Sequence, residues 1–154
     1  MPSVQNLITQ YMDTAREMQI ATVSGDQPWI CTVYFFMDNA HNIYWISKPE
    51  RRHSQEIAKN PKVAGSVTAG NVYGQPIRGV QFEGLAAEIT DPKEVALHIS
   101  AYEQRFHRPG LGREIIGGIN PHHLFRITPT RFMLFDKANF PQLDEAQEWV
   151  PVNA

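Results

Sequence analysis

The stretch Ile77–Thr90, "IRGVQFEGLAAEIT", decides the fold. It carries strand-forming residues over a run longer than the usual strand of about five or six residues. Two glycines, Gly79 and Gly84, interrupt it. A glycine inside a strand packs nothing and marks a bulge, a sharp bend or the close approach of another segment. A long strand that bends at glycine suits the corner of a barrel.

The flanking sequence supplies partners for that strand. Upstream, "QIATVSG" (Gln19–Gly25) reads as a strand, "DQPW" as a turn around Pro28, and "ICTVYFFMD" (Ile30–Asp38) as a second strand. "DNAHN" is a turn into the strand "IYWIS" (Ile43–Ser47), so these two strands form a hairpin. "KVAGSVTAG" (Lys62–Gly70) resumes β structure and "NVYGQP" is a loop. Downstream, Asp91 caps a helix with Pro92 at its first position, running to about Phe106 with Val95, Ile99 and Tyr102 on it. "HRPGLGREIIGGINP" reads as a glycine-rich loop with a short helical turn. "HLFRITPTRFMLFD" gives one or two closing strands around Thr128-Pro129, and "FPQLDEAQEWVPVNA" is irregular. At the other end, residues 3–18 read as a helix capped by Ser3, with Val4, Leu7, Ile8, Tyr11 and Met12 on one face. Strands come in consecutive runs and helices lie at the edges. The chain is therefore mainly β, an antiparallel barrel or sandwich with peripheral helices, forming a single domain over 1–154.

Composition narrows the function. With 154 residues, 42% of them hydrophobic, the chain can bury one ordinary core. A net charge of -2 lacks the basic excess of a nucleic-acid binder. No apolar run approaches the ~20 residues that span a bilayer. The N-terminal stretch lacks the basic start and apolar block of a secretory signal, and Cys31 is the sole cysteine. No internal disulfide can form, and a cytoplasmic setting is the default expectation.

One charge cluster stands out against that balance. "SKPERRHSQEIAKNPKV" (Ser47–Val63) places Lys48, Arg51, Arg52 and His53 between a strand and a short helix that stops at Asn60-Pro61. Arginine forks, a serine hydroxyl and the amides of a helix N-terminus are what a phosphate needs. The alternative is a solvated basic face, although cations are disfavoured at that end of a helix dipole. In "WICTVYFF", alternation puts Cys31, Val33 and Phe35 on one face and Thr32, Tyr34 and Phe36 on the other. That segment reads either as the wall of a flat aromatic ligand or as an ordinary strand buried on both sides. Six histidines show no zinc-ligand spacing, so no metal is expected; His122 and His123 fall on opposite faces of a strand. Arg105 ends a helix, where a cation either suits the dipole or binds a second anion.

The run "ISKPERRHSQEIAKNPKV" resembles the FMN-binding split barrels related to pyridoxamine 5'-phosphate oxidase: a strand, Ser47, a short gap, Arg52, a helix, then Asn60, Pro61 and Val63 opening the next strand. "IRGVQFEGLAAEI" and "QIATV...QPWICTVYFFMD...NIYWIS" are similar to other strands of that family, so the likeness covers about residues 18–90. "VAGSV...IRGVQFEG...YEQRF" looks closer to a small bacterial branch without a settled activity. The resemblance implies a six-stranded antiparallel split barrel, paired as a homodimer with two FMN sites at the interface. It implies that Ser47, Arg52 and His53 face the FMN phosphate with Lys48 and Arg51 nearby. Cys31, Thr32 and Val33 would run beside the flavin, Gly79 to Gln81 would approach from the long strand, and Arg105 would bind substrate. The implied activity is an FMN-dependent oxidoreductase passing hydride between a small substrate and the flavin. The alternative on the same fold is a carrier or sensor of flavin or haem, with a histidine as axial ligand. Departures are His53 where the family commonly has lysine, Cys31 near an arginine position and Gly79 at a glutamine position.

Overall fold

A computed structural model describes residues 2–152. The N-terminal helix α1 (Val4–Thr14) begins where the Ser3 hydroxyl accepts the Asn6 amide. The hairpin β1 (Glu17–Ser24) and β2 (Gln27–Tyr34) follows, then the short hairpin β3 (Phe36–Met37) and β4 (Ile43–Ser47). Helix α2 (Arg52–Lys59) leads into β5 (Lys62–Thr68) and the long β6 (Arg78–Ile89). Helices α3 (Pro92–Arg105) and α4 (Leu111–Ile116) precede β7 (His123–Asp136) and β8 (Gln147–Trp149). Asp91 caps α3, with Pro92 at its start.

All neighbours in the sheet are antiparallel, in the order β2-β1-β5-β6-β7-β4-β3, with β8 added beside β7. Strands β2 and β3 stand at opposite ends of that order, yet Phe35 alone separates them in the chain. The two edges must therefore meet, which curls the sheet into a barrel split along the β2/β3 seam. Curvature is concentrated in β6, whose pairing with β7 shifts between Glu83 and Gly84. A Cβ on Gly84 would lie 2.5 Å from the Thr128 carbonyl oxygen, so only glycine lets the strands approach there.

Met18, Ile20, Phe35, Trp45, Val67, Phe82, Ile127, Phe132 and Leu134 fill the barrel, closed by Leu7, Ile8, Tyr11 and Met12 of α1 and Ile57 of α2. A second cluster, including Phe36, Tyr44, Ile89, Val95, Ile99 and Leu124, lies under α3 and α4.

Several expectations need correction. Among the described residues there are eight strands rather than six, because the two- and three-residue β3 and β8 join six longer ones. Gln27–Trp29 belongs to β2 rather than to a turn. An edge strand tolerates Pro28, which would remove a ladder donor elsewhere. The expected single strand Ile30–Asp38 breaks at Phe35, where the chain crosses from one sheet edge to the other. The C-terminal stretch read as irregular contributes β8; its last two residues, 153 and 154, lie outside the described residues.

Candidate anion site at the β4–α2 corner

Strand β4 ends at Ser47, and the connection Lys48–Arg51 turns the chain into α2 with the Arg51 amide donating to the Lys48 carbonyl at 3.1 Å. Arg51 is the N-cap of α2, and its side chain makes no capping hydrogen bond. The first-turn amides of α2 thus have no side-chain acceptor, and no acidic residue stands in that turn. In the same turn the Ser54 hydroxyl is buried without a hydrogen-bond partner. An orphaned buried hydroxyl is costly in isolation, and an acceptor brought to this corner would relieve it.

Charge at the corner is distributed differently from the simple reading of its sequence. The Arg52 Nε donates to Glu56 Oε1 at 2.8 Å, and Glu56 Oε2 accepts the Thr22 hydroxyl at 2.5 Å. Glu56 is buried, and the Thr22 hydroxyl, followed by Arg52, holds its carboxyl below the usual range. The Arg52 guanidinium also lies 4.1 Å above the Trp29 ring. Its charge is therefore offset, while its Nη edge makes no protein hydrogen bond among the described residues. The His53 Nε2 lies 2.7 Å from Ser47 Oγ. Burial, with the nearby Arg51 charge second, lowers the His53 pKa, so the ring is neutral at pH 7. Lys48 and Arg51 enter no ion pair among the described residues. They supply the free positive charge.

Pairing of β4 with β7 adds residues that sequence spacing did not bring to this corner. Ser47 stands opposite His123, whose Nδ1 is bonded to the Glu88 carboxylate. His122 is near Lys48 and Arg51, whose charges join burial in lowering its pKa. Thr22 and Trp29 also escaped the sequence reading, because they lie on another hairpin and reach α2 only through the curl of the sheet. Glu56 was legible as a helical i+4 partner of Arg52.

The remaining candidates divide. Trp29, Cys31 and Val33 oppose Thr22, Ile20 and Met18, so they share the inner face of β2 and lead away from Arg52. Cys31 is a protonated thiol, pushed by burial to about 11. Thr32 opposes Gln19 on the outer, exposed face, so β2 is not the strand buried on both sides. Gly79 and Gln81 do not join the corner in this chain. They sit at the start of β6, about 30 Å for Gly79 and about 23 Å for Gln81 along the strand, at ~3.3 Å per residue, from Glu88, which adjoins His123. Gln81 lines an outer groove of about 350 Å³ with Ile30, Ala21, Ala64 and Met133. Arg105, the expected substrate residue, makes its contacts within the chain. Its side chain is 11% exposed and donates to the Asp13 carboxylate and the Met12 and Ala15 carbonyls, tying down the end of α1.

Comparison with known proteins places the chain in a family and a fold. A sequence model for pyridoxamine 5'-phosphate oxidase matches residues 7–135. A UPF0306 protein of Photorhabdus laumondii is 28% identical over 90 residues, which span 57% of this chain and 62% of the relative. The match thus covers less than two thirds of that relative's length. Among solved structures, a haem-binding protein of Mycobacterium smegmatis superposes with a TM-score of 0.76 at 13% identity, covering 98% of this chain and 59% of the other. An FAD-binding protein of Mesorhizobium loti gives 0.63 at 20% identity, covering 85% and 92%. At such identities the likeness shows the shared split-barrel fold.

Proposed function

Because the chain belongs to the pyridoxamine 5'-phosphate oxidase family, we propose that it is a flavoprotein that holds FMN by its phosphate at the β4–α2 corner. The observation that carries this reading is the uncapped N-terminus of α2, set beside Lys48, Arg51 and the Ser54 hydroxyl, which have no ion-pair or hydrogen-bond partner for their side chains among the described residues. This donor set suits a phosphate monoester: backbone amides, two free cations, a guanidinium edge and hydroxyls. Ser47 and His53 complete the cradle, and the Cys31–Val33 segment runs from Trp29 along the seam. A flavin held there supplies two-electron redox chemistry toward a small substrate, making the protein an oxidoreductase.

The protein acts as a homodimer in this reading. Support comes from β2, an edge strand with Ile30 61% and Tyr34 55% exposed. The apolar outer groove beside it continues into a second of about 560 Å³ that includes Val23 and Leu85. A second copy is also what would bring Gly79 and Gln81 toward a phosphate corner they cannot reach within one chain.

Arg52→Glu is the test, read by visible absorption after FMN titration. A folded variant that no longer retains FMN supports the site, and a variant that stays yellow at full occupancy removes it. The likeness to the haem-binding protein of Mycobacterium smegmatis favours one second reading, a non-catalytic haem module. A Soret band in place of flavin bands would select it.

A further inference from the structure

Arg52 is held on two sides by groups that belong to no part of the basic cluster. Glu56 takes its Nε at 2.8 Å, and Glu56 is itself fixed by the Thr22 hydroxyl on β1 at 2.5 Å. The indole of Trp29, the residue opposite Thr22 on β2, covers one guanidinium face at 4.1 Å. A guanidinium has two hydrogen-bonding edges of this kind and two faces. With the Nε edge taken and one face covered, the Nη pair is left as a fork of fixed direction. An unsupported arginine with 46% of its side chain exposed would sample many rotamers and lose that freedom on binding.

We propose that Glu56 and Trp29 are positioning residues that preset Arg52 for bidentate capture of an oxyanion, with Thr22 holding Glu56 in place. This rests on the phosphate site proposed above. Glu56 acts by geometry: its negative charge opposes an incoming anion, while its acceptor oxygen aims the arginine. Charge and aim are separable, because glutamine keeps an acceptor for Nε and a group that can pair with the Thr22 hydroxyl.

The experiment compares Glu56→Gln and Glu56→Ala, titrated with FMN and separately with inorganic phosphate. Binding is followed by flavin fluorescence and by the Trp29 emission difference against Trp29→Phe. Glu56→Gln is expected to bind within about threefold of the parent or tighter, and Glu56→Ala about tenfold or more weakly, the loss of a charge-assisted contact. Thr22→Val, which leaves Glu56 and Arg52 intact, is expected to lie between them, and it takes over the test if Glu56→Ala does not fold. Equal affinity in the parent, Glu56→Ala and Thr22→Val overturns the positioning role while leaving the phosphate site standing. Equal weakening in Gln and Ala also overturns it, because an acceptor retained at position 56 would then fail to preserve binding. A parent chain that binds neither FMN nor phosphate removes the site itself.

Discussion

His53 shows how one residue carries a pH dependence that its sequence neighbours do not reveal. Its ring is half-buried against Ser47, and burial plus the Arg51 charge puts its folded pKa below the ordinary 6.5. The unfolded chain therefore binds a proton at a higher pH than the native chain does. Stability from this group is complete above pH 6.5 and is lost as pH falls through 6.5 toward the lower folded value. His41 and His122 shift in the same direction, so the contribution of His53 is read as a difference. Thermal melts between pH 7.5 and 5.5 are expected to show a smaller fall in Tm for His53→Gln than for the parent; identical slopes would contradict the burial argument. At this scale sequence reading was least reliable. It recognised the residue types around Ser47, but it could not tell that Arg52 is offset by Glu56 or that Arg105 is spent on the Met12 and Ala15 carbonyls. The Arg105 contacts depend on neighbours some ninety residues away, and the Arg52–Glu56 pair, though one helical turn apart, is fixed only by Thr22 and Trp29 of another hairpin.

Among the elements, β6 is where the reading succeeded, because its signal is local. A long run of strand formers broken by Gly84 means a bend, and the bulge with β7 falls at that glycine. Any side chain there collides with the Thr128 carbonyl and the Pro129 Cα, at 2.5 and 2.8 Å from a built Cβ. Gly84→Ala should cost about 2 kcal/mol, the usual scale of overpacking, measured by denaturant unfolding. An unchanged midpoint would show that the barrel corner is more pliant than its packing suggests. The break of one expected strand into β2 and β3 was not legible. "ICTVYFFMD" has continuous strand propensity, and the interruption at Phe35 comes from a seam that exists only once the sheet has curled.

For the whole molecule, two surfaces bear on the proposed function: the corner at the start of α2 and the outer face along β2. A lone barrel would leave Ile30 and Tyr34 on the outer face of an edge strand facing water, a form that invites pairing with another chain. Ile30→Asp is expected to shift the mass seen in sedimentation from dimer to monomer at micromolar concentration while circular dichroism stays constant. A parent that sediments as a monomer would remove the dimer proposal. By itself the sequence determined the class of fold, the order of its longer elements and the location of a basic strand–helix junction, because alternation, caps and glycine breaks act over a few neighbouring residues. Only the tertiary structure decided which cations at that junction are free, that Trp29, Thr22, His122 and His123 gather there, and that Gly79 and Gln81 lie at the far end. Those outcomes depend on closing one sheet on itself, which brings together residues whose separation along the chain carries no local signal.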